Sequence, residues 1–296
     1  MTFEYPFAAN YLDLEGLKYH YIDEGSGEPL VMVHGNPSWS YLYRNLVQDL
    51  SGDYRCIVPD HIGCGRSDKP DDSAYDYTLA RRVADLDRLI EHLGLERVTL
   101  VVHDWGGMIG TTWAAQNPDR VARMVVMNTG AFHLPEEKSM PFTLNIARTP
   151  GLGALLVRGF SAFSRGAVKH CVTRGPMRKE VAAGFLEPYD SWQNRIAVHR
   201  FVQDIPLQPG DQAWDVVTGT ESRLHLLKDK PMLFCWGMRD FVFDHHFLDQ
   251  WVQHFPNAEV HRFADAGHYV LEDAGDEIKP LVRAFLAKHH VEVEAG

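Results

Sequence analysis

Residues 98–107 read VTLVVHDWGG, an apolar run that ends abruptly in His103, Asp104, Trp105 and two glycines. The helical pattern Met108 to Gln116 follows at once. Where a strand breaks into a helix this sharply, the side chain at the break is pushed out of the sheet and faces the positive end of the helix. Asp104 holds that place. We read it as the tip of a nucleophile elbow, with Gly106 leaving room for the turn, although Val102 stands two residues before it where the general pattern has a small residue. The competing reading is an Asp that only caps the helix.

Outward from this stretch, short apolar runs bounded by Gly, Pro or Asp recur at Leu17 to Ile22, Leu30 to Val33, Tyr54 to Val58, Val121 to Met127, Pro231 to Trp236 and Ala258 to Phe263. They predict strands. Helical spacing lies between them, most cleanly at Leu79, Val83, Leu86, Ile90 and Leu93, whose steps of four and three put five side chains on one face. Such alternation predicts an α/β fold with a mainly parallel central sheet and helices on both faces. Between Phe132 and Trp214 the alternation stops: Pro141, Pro150, Pro176, Pro188, Pro206 and Pro209 punctuate short helical patterns without a convincing strand. The expected organisation is a core domain of residues 1–131 and 215–296, with 132–214 inserted as a helical cap. A last amphipathic helix is expected at Ile278 to Leu286.

A covalent mechanism needs a base and a group to orient it. Asp240, in WGMRD, follows the strand at 231–236, and His268, in AGHY, follows the strand at 258–263. Nucleophile, acid and histidine thus come in that order, each at the carboxyl end of a strand, where open parallel sheets keep their sites. Asp104, Asp240 and His268 form the expected triad. Asp244 is a rival acid, but its place further on suits helix capping. An Asp nucleophile attacks saturated carbon and forms an ester, whereas Ser or Cys would suggest acyl transfer. In HGNP, residues 34–37, the loop after another strand offers main-chain N–H groups and the Asn36 amide to a developing anion, and Trp105 adds an indole donor. Asn36 and Trp105 are therefore the expected leaving-group site. Asp60, Gly63, Gly65 and Ser67 lack the lysine of a phosphate loop and read as a structural turn. The cap offers Phe142, Leu144, Leu152, Leu155, Leu156, Phe160, Phe163, Phe185 and Trp192 as candidates for a pocket wall, without saying which serve.

The 296 residues are 45% hydrophobic and 23% charged, with 29 Lys and Arg against 40 Asp and Glu and a formal net charge of -11. This is a globular composition whose overall charge disfavours nucleic acid and anionic lipid. No apolar run approaches the roughly 20 residues of a spanning helix. Met1 to Asn10 has no export-signal pattern, and Cys56, Cys64, Cys171 and Cys235 have no metal or redox spacing, so a cytoplasmic protein with reduced thiols is expected. The reading includes no cofactor and no metal, and takes the His245–His246 and His289–His290 pairs as surface residues.

With these residues laid out, the chain resembles the α/β-hydrolase fold, and HGNPSW, DHIGCGRSD, VVHDWGG, WGMRD and AGHY resemble the haloalkane dehalogenases over nearly the whole chain. That resemblance implies an Asp104 that displaces halide, Asn36 and Trp105 that hold it, Asp240 as the acid, and His268 activating water on the ester. The branch with its acid after the earlier strand is less similar, since Asn128 and Thr129 stand there. Epoxide hydrolases need paired cap tyrosines, and the cap has only Tyr189.

Longer stretches, HGNPSWSYLYRNL, YRCIVPDHIGCGRSDKP, NTGAFHLP, RFVQDIPLQPGD and CWGMRDFVFDHHFLDQW, resemble the β-lactone decarboxylases of bacterial olefin biosynthesis. This implies conversion of a cis-3,4-dialkyl-oxetan-2-one into a cis-alkene and carbon dioxide, with haloalkane hydrolysis as the alternative. It also implies a long-chain hydrophobic substrate, and assembly with the β-lactone synthetase and the reductase of the same pathway. Whether Asp104 attacks the alkyl or the carbonyl carbon, and what His268 does, stays open at this point.

Overall fold

Within the strand Val98–His103, Val98, Leu100 and Val102 pack into one apolar cluster and Val101 into another, the two-residue repeat of a strand covered on both faces. The computed structural model describes residues 2–149 and 151–290; Met1, Pro150 and residues 291–296 lie outside it. Eight strands form one sheet: β1 (Asn10–Leu14), β2 (Leu17–Glu24), β3 (Pro29–Val33), β4 (Arg55–Pro59), β5 (Val98–His103), β6 (Val121–Met127), β7 (Met232–Gly237) and β8 (Glu259–Phe263). Their order is β1-β2-β4-β3-β5-β6-β7-β8. The pairs from β4 to β8 are parallel, while β1 with β2 and β2 with β4 are antiparallel.

Strand β1 was not anticipated. Its sequence NYLDL alternates exposed and half-buried residues at a sheet edge, so it lacks the continuous apolar run that marks the inner strands.

Helices α1 (Arg44–Leu50) and α11 (Val270–Lys288) pack on the face reached by Leu30, Met32 and Val101. Opposite them, α2 (Leu79–His92) and α3 (Trp105–Gln116) cover the face reached by Val31, Val33 and Val102. The α2 stripe is as expected: Leu79, Val83, Leu86 and Ile90 are buried, and Leu93 packs against the same cluster. Between β6 and β7 no described residue is in a strand. That segment runs through α4 (Phe142–Arg148), α5 (Leu152–Ala154), a π-helical turn (Leu155–Gly159), α6 (Ala162–His170), α7 (Lys179–Leu186), α8 (Ile196–Gln203) and α9 (Trp214–Arg223). Helix α10 (His245–His254) joins β7 to β8. No described helix is long and apolar enough to cross a membrane, and all four cysteines are buried and unbridged.

Candidate active site

The elbow is a strained turn. Asp104 has φ 53° and ψ -131°, a conformation that L residues adopt only where the surroundings hold them there. The surroundings do so: the Asp104 N–H donates to the Asn128 carbonyl at 3.1 Å, and the Asp104 carbonyl accepts from the Gly107 N–H at 2.9 Å and from the Thr129 hydroxyl. A Cβ at Gly106 would overlap the Val33 carbonyl, so only glycine lets α3 leave so close to β3. Although Asp104 stands at the N-cap of α3, its carboxylate makes no capping bond to that helix's second or third N–H. It accepts instead from the first N–H, that of Trp105, and has partners beyond the helix. Asp104 Oδ1 accepts from the Asn36 main-chain N–H at 2.5 Å, and Oδ2 lies 3.5 Å from His268 Nε2.

His268 follows β8 and Asp240 follows β7, two adjacent parallel strands, so their side chains meet above the sheet edge. His268 Nδ1 donates to Asp240 Oδ2 at 2.7 Å, while Asp240 Oδ1 accepts from the Val242 N–H at 2.7 Å. Burial works against charge on His268, yet Asp240 and Asp104 outweigh it and raise its pKa to about 10. Burial likewise opposes charge on Asp104, but His268 beside it holds the carboxyl below its usual range. Both shifts favour the charged forms of the two groups, an imidazolium on His268 beside a carboxylate on Asp104. Asp244, the rival acid, caps α10 by accepting from the His246 N–H at 3.1 Å and pairs with Lys138 at 2.6 Å. His245 and His290 are exposed, and His246 and His289 half-buried.

The 34–37 loop differs in one respect from the sequence reading. The Asn36 main-chain N–H is committed to Asp104 rather than offered to a leaving group, and only the side chain is left for that task. Nδ2 donates to the Val198 carbonyl of α8 at 3.1 Å, leaving its second hydrogen free, and Oδ1 is buried without a partner. The Asn36–Pro37 bond is cis. A Cβ at Gly35 would overlap the Asp104 side chain. Buried Asp60 accepts from the Ser40 and Arg66 N–H groups and from His20 at 2.7–2.9 Å, so its segment is a structural turn beneath this loop.

Two residues near the site were given no role by the sequence. Asn128, at the end of β6, donates to Asp240 Oδ2 and to the Gly237 carbonyl, each at 3.0 Å, and its Oδ1 accepts from the Gly237 N–H at 2.8 Å. His103 donates through Nε2 to the His268 carbonyl at 2.7 Å, and burial lowers its pKa to about 4, so it is neutral. Asn128 ends the β6 run as an amide where an acid was sought, and His103 lies inside the apolar-to-Asp junction, overshadowed by Asp104.

Asp104, Trp105, Asn36 and His268 line a cavity of about 570 Å³, within the range of about 300–1,000 Å³ typical of ligand pockets. Apart from these four, its wall is mostly apolar, with Leu144, Ala147, Leu156, Val157 and Phe163 from the inserted helices facing Met108, Phe132 and Phe243. Of the candidate wall residues, Leu144, Leu156 and Phe163 serve. Phe185 stacks on Tyr269 in the core, and Phe142, Leu152, Leu155, Phe160 and Trp192 face outward. Tyr189 donates to the Ser38 carbonyl at 2.8 Å and does not line the cavity.

Residues 28–275 match the model of the alpha/beta hydrolase fold family. The chain is 55% identical over 284 residues to the cis-3-alkyl-4-alkyloxetan-2-one decarboxylase of Shewanella oneidensis, covering 96% of this chain and 89% of that one. It is 50% identical over 294 residues to the enzyme of the same name from Xanthomonas campestris pv. campestris, covering 96% and 98%. Among solved structures it resembles the haloalkane dehalogenase DatA of Agrobacterium tumefaciens, with a TM-score of 0.84, 28% identity, and 95% and 97% coverage. Matched by the fold family's model over residues 28–275 and half or more identical to two decarboxylases over 96% of its length, the chain belongs to the alpha/beta hydrolase fold family and, within it, to the family of the cis-3-alkyl-4-alkyloxetan-2-one decarboxylases.

Proposed function

We propose that this enzyme converts a cis-3-alkyl-4-alkyloxetan-2-one into a cis-alkene and carbon dioxide, with Asp104 as nucleophile. The observation that carries the reading is the 55% and 50% identity to two decarboxylases over 96% of the chain, against 35% and 36% to two haloalkane dehalogenases over 93% of it. The site's chemistry supports it. Asp104 Oδ2 attacks the ring carbon bearing the lactone oxygen; that C–O bond breaks, and the ring oxygen leaves as part of a carboxylate still tethered to the neighbouring carbon. The Asn36 amide and the Trp105 indole N–H hold this carboxylate, and the Asn36 main-chain N–H stays on the ester carbonyl.

Inversion places the aspartyl ester anti to the carboxylate. The bond to the carboxyl carbon then supplies the electron pair of the new alkene, carbon dioxide departs, and the C–O bond to Asp104 breaks to restore the carboxylate. No water and no net proton enter. An imidazolium suits this sequence better than a base would, because the tethered carboxylate replaces the charge lost from Asp104 and keeps His268 protonated, unable to activate water on the ester. Asp240 orients that ring.

The same reading makes the substrate long-chained and water-insoluble, supplied by a lactone-forming synthetase with which, and with a reductase, the enzyme assembles in the cytoplasm. The test offers purified protein a cis-β-lactone with two alkyl chains and, separately, a bromoalkane, with Asp104→Ala as control. Alkene by gas chromatography with little bromide is expected; bromide with untouched lactone overturns the assignment in favour of haloalkane hydrolysis.

A further inference from the structure

The net charge of -11 conceals a segregation. Residues 138–179 contain eight Lys and Arg and no Asp or Glu. Some of these cations are paired by other segments: Lys138 with Asp244, Arg148 with Asp211 and Arg174 with Asp265. Arg165 and Lys169, one turn apart on α6, are exposed, and Arg158 lies over the ring of Trp192 at 4.6 Å. Among these cations stand the outward-facing apolar side chains: Phe142 is 77% exposed, Phe160 64%, Leu152 52% and Leu155 49%. Single exposed apolar residues are ordinary, but four large ones along one short basic segment are not.

The cavity opens on this same segment. Thr143 on α4 and Ala162 and His170 on α6 both line the cavity and are exposed, so its wall reaches the surface between these helices. One stretch of chain therefore carries the inner wall, the mouth and an outer surface of basic and large apolar side chains.

We propose that the outer face of α4 to α6 docks on a bilayer surface bearing anionic lipid. Arg158, Arg165 and Lys169 meet the headgroups, and Phe142, Leu152, Leu155 and Phe160 enter the acyl boundary. The mouth then faces lipid, and an apolar ligand passes between bilayer and cavity without crossing water. Cations interspersed with large exposed apolar side chains are what an interfacial surface needs, which favours lipid as the occupant. The docking surface goes beyond the decarboxylase reading and rests on it only for the identity of the ligand that passes through.

The test uses the protein alone, without substrate, so it can fail independently of the decarboxylase reading. Sedimentation is measured with vesicles of phosphatidylcholine and with vesicles of equal parts phosphatidylcholine and phosphatidylglycerol. Binding at least about tenfold stronger to the anionic vesicles is expected, lost at high salt. Arg165→Glu combined with Lys169→Glu should weaken it by about tenfold or more, and Phe160→Ser should weaken it while leaving the salt dependence. Both variants should keep the parent's melting temperature. Equal partition onto both vesicles, or unchanged binding in the variants, overturns the proposal. So does a protein that ignores vesicles yet forms a concentration-dependent dimer that the charge reversals dissolve, an outcome that assigns the face to a second copy of the chain.

Discussion

The main-chain N–H of Asn36 donates to Oδ1 of Asp104 at 2.5 Å, which gives the two oxygens of one carboxylate separate tasks. In the proposed mechanism Oδ1 is held where the ester carbonyl forms, and Oδ2, 3.5 Å from His268 Nε2, is the attacking atom. Elimination from the ester returns both oxygens to Asp104. In water enriched in oxygen-18, Asp104 should therefore stay unlabelled after many turnovers, as read by mass spectrometry of its peptide. Label gained on every turnover would exclude elimination.

Replacing His268 with Gln keeps a donor but removes the charge. We expect alkene formation to fall by about 10²–10³-fold, the range for loss of a preorganised electrostatic partner, with no ester detected on the intact protein. An enzyme that needs histidine to activate water would accumulate that ester, so a mass increase equal to the bound substrate sinks the assignment.

The direction of the pKa shifts sets the pH profile. His268 is raised to about 10 by Asp240 and Asp104 against the effect of burial, and Asp104 is lowered by His268. The charged His268–Asp104 pair persists between these limits, so kcat/KM should be flat through neutral pH and fall as pH passes about 10. Stability follows the same sign: the His268 contribution is whole below its unfolded value of 6.5 and is lost as pH rises through about 10. A kcat/KM that climbs with pH through a midpoint near 6.5 would mean that neutral histidine is the working form.

Asn128 ties Asp240 to the end of β7 through bonds to Asp240 and Gly237. Asn128→Ala should cost about 1–3 kcal/mol of stability, since it strips buried groups of their partners, and lower kcat with little change in KM. Asn128→Ser should recover part of kcat. Denaturant unfolding and steady-state kinetics check both halves.

Gly35 needs no unusual backbone angle; its constraint is space beside Asp104. Gly35→Ala should abolish turnover while costing about 1–3 kcal/mol from overpacking. An active Gly35→Ala enzyme would show that the nucleophile does not need its observed position.

Much of this was legible in the sequence because the inner strands of a covered parallel sheet are continuous apolar runs, and the residues after them are those the topology gathers. Asp104, Asp240 and His268 could be read that way. Edge strand β1 could not, since a half-exposed strand resembles a loop in composition. Asn128 and the division of labour at Asn36 depend on distances between strand ends, which no spacing along the chain encodes. The facing of Leu155 and Phe160 away from the cavity was equally hidden, because an apolar residue on a helix looks the same whether it turns in or out.

Catalytic groups hang from the strand ends, and much of the apolar wall comes from helices threaded between β6 and β7, yet Asn36 Nδ2 is bound to the Val198 carbonyl of α8. That bond makes the wall and the leaving-group amide mechanically continuous. In the proposed mechanism a tail that displaces α8 also moves the hydrogen that holds the departing carboxylate, which couples tolerance for chain length to the speed of bond breaking.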